Sequence, residues 1–151
     1  MALYDILPAS EQNDINAIVV FKIICIYAAF AFITTLIREI VKDLEDLEGD
    51  QKMGYETYAI VSGKKKTKNI VQSLSILTII GIACILYLQV QSDILSFSYV
   101  LFFVKAPFLF FIWKLKKAES STDFHSLSIL IKIIMLTGIL SMIVFTFLTK
   151  A

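Results

Sequence analysis

The sequence predicts an all-α membrane protein, a polytopic bundle of four transmembrane helices. Three observations predict it. Apolar residues make up 58% of the 151 and charged residues only 18%, against about a half and a quarter in ordinary soluble domains. Four apolar stretches each reach the roughly 20 residues that an α-helix needs to cross about 30 Å of hydrocarbon. None of them alternates apolar with polar residues as a membrane β-strand would. A mean hydropathy of +0.78 leaves more apolar surface than one aqueous core can hide, so lipid or partner helices must take it up. The net charge of +1 points to neither an acidic nor a basic partner.

The elements follow in order. Met1–Asn16 is mildly acidic, contains Pro8 and has no basic stretch ahead of an apolar one, so it does not read as a cleavable signal peptide. The first span is Ala17–Ile37. A long polar segment, Arg38–Lys68, separates it from the second span, Asn69–Val90. The third span, Leu95–Trp113, contains Lys105 and Pro107. Pro107 removes one backbone donor and should kink the helix, and Lys105 should face a polar cavity or a partner helix rather than lipid. The fourth span is Leu127–Leu148. Lys22 and Lys132 lie near helix ends, where a long side chain reaches the interface. Cys25 and Cys84 sit in apolar runs without metal-ligand spacing and read as small packing residues. No internal repeat or linker divides the chain, so residues 1–151 read as one membrane domain.

Basic residues set the orientation. Arg38–Lys68 and the connection from Trp113 to Leu127 carry nearly all of them outside the spans, whereas Met1–Asn16 and the connection from Gln89 to Ile94 carry none. Both basic segments belong on the cytoplasmic side of a bacterial or archaeal plasma membrane, with both termini outside.

The chemistry concentrates in REIVKDLEDLEGDQKMGYETY, Arg38–Tyr58. At about 100° per residue, Glu39, Asp43, Asp46 and Asp50 fall within an arc of roughly 60° on one helix face. Glu45 and Glu48 point away from it, and Leu44 and Leu47 lie beside it for packing. Four acids on one face repel one another unless a cation neutralises them. Mg²⁺ suits this pattern, because it takes one or two carboxylates and shares its other positions with water and phosphate oxygens. Basic residues in the same segment suit phosphate. Gly49 is expected to end or loosen the helix so that Asp50 turns toward a metal, and Gly54 and Gly63 to permit a mobile loop. Spacing alone leaves a second reading open, a solvated helix with pairs such as Glu48–Lys52.

The same residues carry a resemblance. REIVKDLEDLEGDQKMGYET is similar to the second Asp-rich motif of the UbiA superfamily of membrane prenyltransferases: an Arg-Glu pair, here Arg38-Glu39, then acids spaced DxxDxxxD, here Asp43, Asp46 and Asp50, with Gly49-Asp50 completing it. Ser120–Ile143 resembles that family's last helix. The form REIxKDxEDxEGD is most similar to the branch that alkylates geranylgeranylglyceryl phosphate. Thr57 matches the continuation GYxTLPI, whereas Tyr58 and Ala59 replace its Leu-Pro.

The resemblance implies half of a nine-helix fold whose two Asp-rich motifs face one cavity on the cytoplasmic side. It implies a transferase that moves a prenyl group, geranylgeranyl in the most similar branch, from prenyl diphosphate to a lipid or aromatic acceptor. It also implies Mg²⁺ held by Asp43, Asp46 and Asp50, with Arg38, Lys42 and Lys52 as diphosphate contacts; no catalytic residue is assigned. His125 reads as a surface histidine. The family's first motif, NxxxDxxxD, is not reproduced by Asn13, Asp14 and Asn16. This chain is therefore expected to be inactive alone, and three explanations stay open: a fragment, the product of a decayed gene, or one subunit of a split enzyme with a separate N-terminal half. The competing reading is a non-catalytic four-helix scaffold or subunit. A third reading makes Lys64–Lys66 and Lys68 contacts to acidic lipid headgroups. A nucleic-acid role is disfavoured, because the basic loop carries as many acids as bases and lies at lipid.

Overall fold

A computed structural model describes residues 9–89, 98–99 and 101–148. Among them there is no strand. Six α-helices are α1, Ala9–Glu45; α2, Leu47–Met53; α3, Tyr58–Ser62; α4, Lys64–Gln89; α5, Ala106–Lys117; and α6, Ser121–Leu148. A π-helical turn, Leu101–Lys105, leads directly into α5. Among the described residues, three helices are long and apolar enough to cross a membrane, over Ala17–Glu45, Lys64–Ile85 and Ser121–Met142. The predicted span Leu95–Trp113 lies partly outside the described residues, and so do Val90 and the connection after it.

The helices outrun the apolar stretches that predicted them. The first extends back to Ala9 and on to Glu45 rather than stopping at Ile37. The fourth helix starts at Lys64 instead of Asn69, and the last at Ser121 instead of Leu127. Apolar runs mark what lipid requires, whereas the hydrogen-bond ladder continues through any good helix former, and Lys, Glu and Leu are good ones.

The chain forms two compact units, one ending at Phe32 and one beginning at Ile33. In the first, Ile18, Val20, Phe21, Ile24 and Phe32 are exposed. Cys25, expected to pack, is exposed as well, and so is Cys84 in the second unit. Both face outward, where lipid accepts a small apolar thiol as readily as a core does.

The second unit has a regular seam. Buried positions are Ile37, Val41 and Leu44 on α1, then Thr67, Val71, Ser75, Thr78 and Ile82 on α4. They continue as Val104, Phe108, Phe111 and Leu115 into α5, and as Phe124, Leu127, Ile131 and Ile134 on α6. Steps of three and four residues keep one stripe of each helix facing its neighbours, the spacing of helices packed at shallow crossing angles. Several buried positions are hydroxyls that donate back to their own helix: Ser75 Oγ to Val71 O at 2.7 Å, Thr78 Oγ1 to Leu74 O at 2.8 Å. Small, self-satisfied polar side chains let membrane helices approach without leaving an unpaired donor.

Pro107 is the second residue of α5, directly after the π-turn. In a regular α-helix Phe103 O would accept from the N–H of residue 107, which proline lacks. Thr137 Oγ1 on α6 lies 3.0 Å from Phe103 O and 3.0 Å from Ile134 O of its own helix, so its single proton is shared between the two carbonyls. Tyr99 Oη in turn donates to Thr137 O at 3.2 Å. Lys105 is half-buried at the end of this turn, and Lys132 is exposed.

Candidate functional site

Residues 38–64 sit where α1 gives way to α2 and α3. The break predicted at Gly49 falls at Asp46, whose φ and ψ of −89° and 1° depart from helical values. The ladder nevertheless continues across it, with Asp46 N donating to Lys42 O and Asp50 N to Asp46 O, both at 2.9 Å. Buried Leu44 holds the end of α1 in the core, so the bend comes where packing ends rather than at the glycine. Gly49 lies inside α2. Gly54 ends that helix in the left-handed conformation, φ 75°, which its missing Cβ permits. Most of the predicted loop is therefore helical. Ala59, which stands where the resembling motif has proline, is fully buried in α3.

The predicted acids lie together along this bend. Asp43 and Asp50 are half-buried and Asp46 is exposed. Of the charges near Asp43, Asp50, Glu39 and Asp46 repel it and Lys42 opposes them. Arg38 is half-buried, and its Nη1 donates to Glu39 Oε1 at 2.5 Å, so the stripe is partly neutralised by its own neighbour. Lys42 is exposed at the end of α1, and Lys52 is exposed in the last turn of α2.

Among the described residues, no three His, Cys, Asp or Glu side chains could by themselves hold a metal ion. The donor set does not fit a closed protein cage of the kind structural zinc uses. It does fit the open arrangement of Mg²⁺, in which a few carboxylates leave the remaining positions to phosphate and water.

Some polar contacts here were not read from the sequence. Glu45, off the acidic stripe, has its Oε1 2.6 Å from His125 Nδ1, and Glu45 O accepts from Ser121 Oγ at 2.8 Å. His125 is exposed as predicted, and it ties the start of α6 to the end of α1. Ser120 and Asp123 form a reciprocal cap on α6: Ser120 Oγ accepts from Asp123 N at 3.2 Å and Asp123 Oδ2 accepts from Ser120 N at 3.0 Å. The signal for that cap, Ser-x-x-Asp, stood in the sequence unused. Lys64 Nζ donates to Glu119 O, and Lys68 Nζ to Ala118 O at 2.7 Å and Lys116 O at 3.3 Å. Thr57 Oγ1 is buried without a hydrogen-bond partner among the described residues.

Comparison with known proteins gives concordant results. The model of the UbiA prenyltransferase family matches residues 16–137. A digeranylgeranylglyceryl phosphate synthase of Methanosphaera stadtmanae is 35% identical over 114 residues, covering 74% of this chain and 40% of the relative. One from Thermococcus gammatolerans is 29% identical over 105 residues, covering 70% and 37%. One from Pyrococcus abyssi is 45% identical over 53 residues, covering 35% and 19%. The chain thus spans well under half the length of these relatives. No solved structure matches it significantly.

Proposed function

The chain belongs to the UbiA prenyltransferase family, and from that premise we propose that it supplies one acidic face of a Mg²⁺-dependent site for transferring a prenyl group, geranylgeranyl above others, from its diphosphate to a lipid or aromatic acceptor. The observation that carries the proposal is the gathering of Asp43, Asp46 and Asp50 at the α1–α2 bend inside the matched segment. Acceptors related to glyceryl phosphate are favoured by the relatives, each named a digeranylgeranylglyceryl phosphate synthase.

In this reading Asp43, Asp46 and Asp50 offer the carboxylates, of which one or two at a time would bind the metal while phosphate and water fill its other positions. When bound, Mg²⁺ would neutralise the charge that develops on the departing diphosphate. Arg38, Lys42 and Lys52 would bind diphosphate oxygens and orient the leaving group. Apolar helix walls would hold the isoprenoid tail and keep water from the allylic cation. The proposal includes a fourth span through Leu95–Trp113 and a cytoplasmic position for the acidic bend, as the distribution of basic residues favours.

A diphosphate is best clamped from both ends, and the 151 residues contain one acidic motif. The chain should therefore turn over only together with a half that carries an NxxxDxxxD motif. The test is transfer from radiolabelled geranylgeranyl diphosphate, in membranes, by this chain with and without such a half from a relative. The pair should be active, and Asp46→Ala or Asp50→Ala should cost about a hundredfold or more. Turnover by the chain alone would overturn the need for a second half. Activity of the pair that ignores both substitutions would overturn the assigned site.

A further inference from the structure

A cleft of about 450 Å³ opens between the first turns of α4 and the end of α5, outside the acidic bend. It is lined by Lys64, Lys65, Lys68 and Lys116, by Asn69, Gln72 and Leu115, and by Glu119, the one acidic residue among them. Four positive charges against one negative give the cleft a surplus that neither salt bridging nor burial accounts for.

Two of these lysines are held in place. Lys64 and Lys68 donate to carbonyls at and just beyond the end of α5: Lys64 to Glu119 O, Lys68 to Ala118 O and to Lys116 O in the last turn, and Lys64 Nζ also lies over the Phe124 ring at 5.5 Å. The bond to Lys116 O satisfies one open carbonyl of α5, and ammonium groups at that end complement its dipole. An ammonium has three N–H donors, so neither lysine is exhausted by them. Their positions are set before any ligand arrives, which lowers the ordering cost of binding. Lys65 and Lys116 are exposed and can close over an anion. One turn into α4, Asn69 and Gln72 add amide donors.

The depth of the cleft is marked on α5 itself. Trp113 lies beneath Lys117 Nζ, 4.0 Å from the ring centroid, an aromatic ring with a lysine reaching past it as found at membrane–water interfaces. Lipid phosphates lie at that level. We infer that this cleft is a phosphate-binding site, taking the phosphate of an anionic lipid headgroup or free phosphate, and that it works independently of the acidic bend. Lys66, in the same basic run, does not line it, which distinguishes a built cleft from a generally basic loop.

The experiment titrates the full chain, in neutral detergent, with short-chain phosphatidylglycerol, with phosphatidylcholine of the same chain length, and with inorganic phosphate. The single tryptophan, Trp113, reports binding by fluorescence. Phosphatidylglycerol should saturate the wild type and Lys66→Gln alike. Lys65→Gln combined with Lys116→Gln should weaken it about thirtyfold, since each near-surface lysine contributes on the order of fivefold. These two are substituted because Lys64 and Lys68 also hold α5; Lys65→Gln alone, about fivefold weaker, serves if the double variant does not fold. Binding of phosphatidylglycerol but not phosphate assigns the headgroup as ligand, whereas phosphate binding with the same lysine dependence assigns the free anion. Equal affinity in wild type and lysine variants, an equal loss in Lys66→Gln, or equal binding of phosphatidylcholine overturns the proposal.

Discussion

Single side chains at the helix ends show how unevenly function and stability divide the polar residues. Asp46 and Asp50 repel Asp43, a cost that the proposed cation would relieve. Glu45, only one residue from Asp46, instead meets His125 and serves the fold. Position separates them: Glu45 ends α1 against the start of α6, whereas Asp46 stands at the break and Asp50 in α2. Thr57 is a third case. Its Oγ1 is buried and unpartnered among the described residues, and an unsatisfied hydroxyl costs about 1–3 kcal/mol. Thr57→Val keeps the shape and removes that cost, so it should raise the unfolding midpoint of this chain in detergent by a few degrees. A lower midpoint would mean that the hydroxyl has a partner after all.

At the level of elements, short helices α2 and α3 stand where a mobile loop was expected, and two glycines in the segment carry opposite consequences. Gly54, with φ 75° and ψ 21°, is in the left-handed region that costs other residues about 1–2 kcal/mol, and Gly63, with φ 79° and ψ 148°, is in one that is essentially glycine's alone. Gly49 lies within α2, where alanine would gain roughly 0.5–1 kcal/mol. No heavy atom lies within 4 Å of a Cβ built at either Gly49 or Gly54, so backbone conformation alone decides. Gly54→Ala should lower stability and Gly49→Ala raise it, measured by thermal unfolding followed by circular dichroism; shifts of the same sign would refute this account of where α2 ends. The missing donor at Pro107 belongs to the same scale. Its position was legible because proline removes a specific donor, whereas the repair by Thr137 was not, since a residue 30 positions onward in sequence must be brought alongside.

At the largest scale, the unit that begins at Ile33 has helices with exposed apolar side chains. Exposed Leu77, Ile80, Phe102, Leu109, Ile133 and Leu136 make sense against lipid or further helices and would be a liability in water. The orientation proposed from basic residues is open to direct test. With Cys25 and Cys84 replaced by serine, Lys52→Cys and Glu119→Cys should resist a membrane-impermeant maleimide in intact cells and react once the membrane is opened, while Ser92→Cys should react from outside. Labelling of Lys52→Cys in intact cells would put the acidic bend on the wrong side for a cytoplasmic diphosphate. By itself the sequence determined the all-helical class, three of the long apolar helices, the acidic motif and the family, because hydropathy, helical period and motif spacing are local properties of the chain. Tertiary structure decided the rest. It bent the helix at Asp46 instead of Gly49, because packing around Leu44 stops there. It paired Glu45 with His125 and joined lysines of α4 to the carbonyl end of α5 to line a basic cleft. Contacts of that kind depend on which helix ends meet in space, and no local pattern records them.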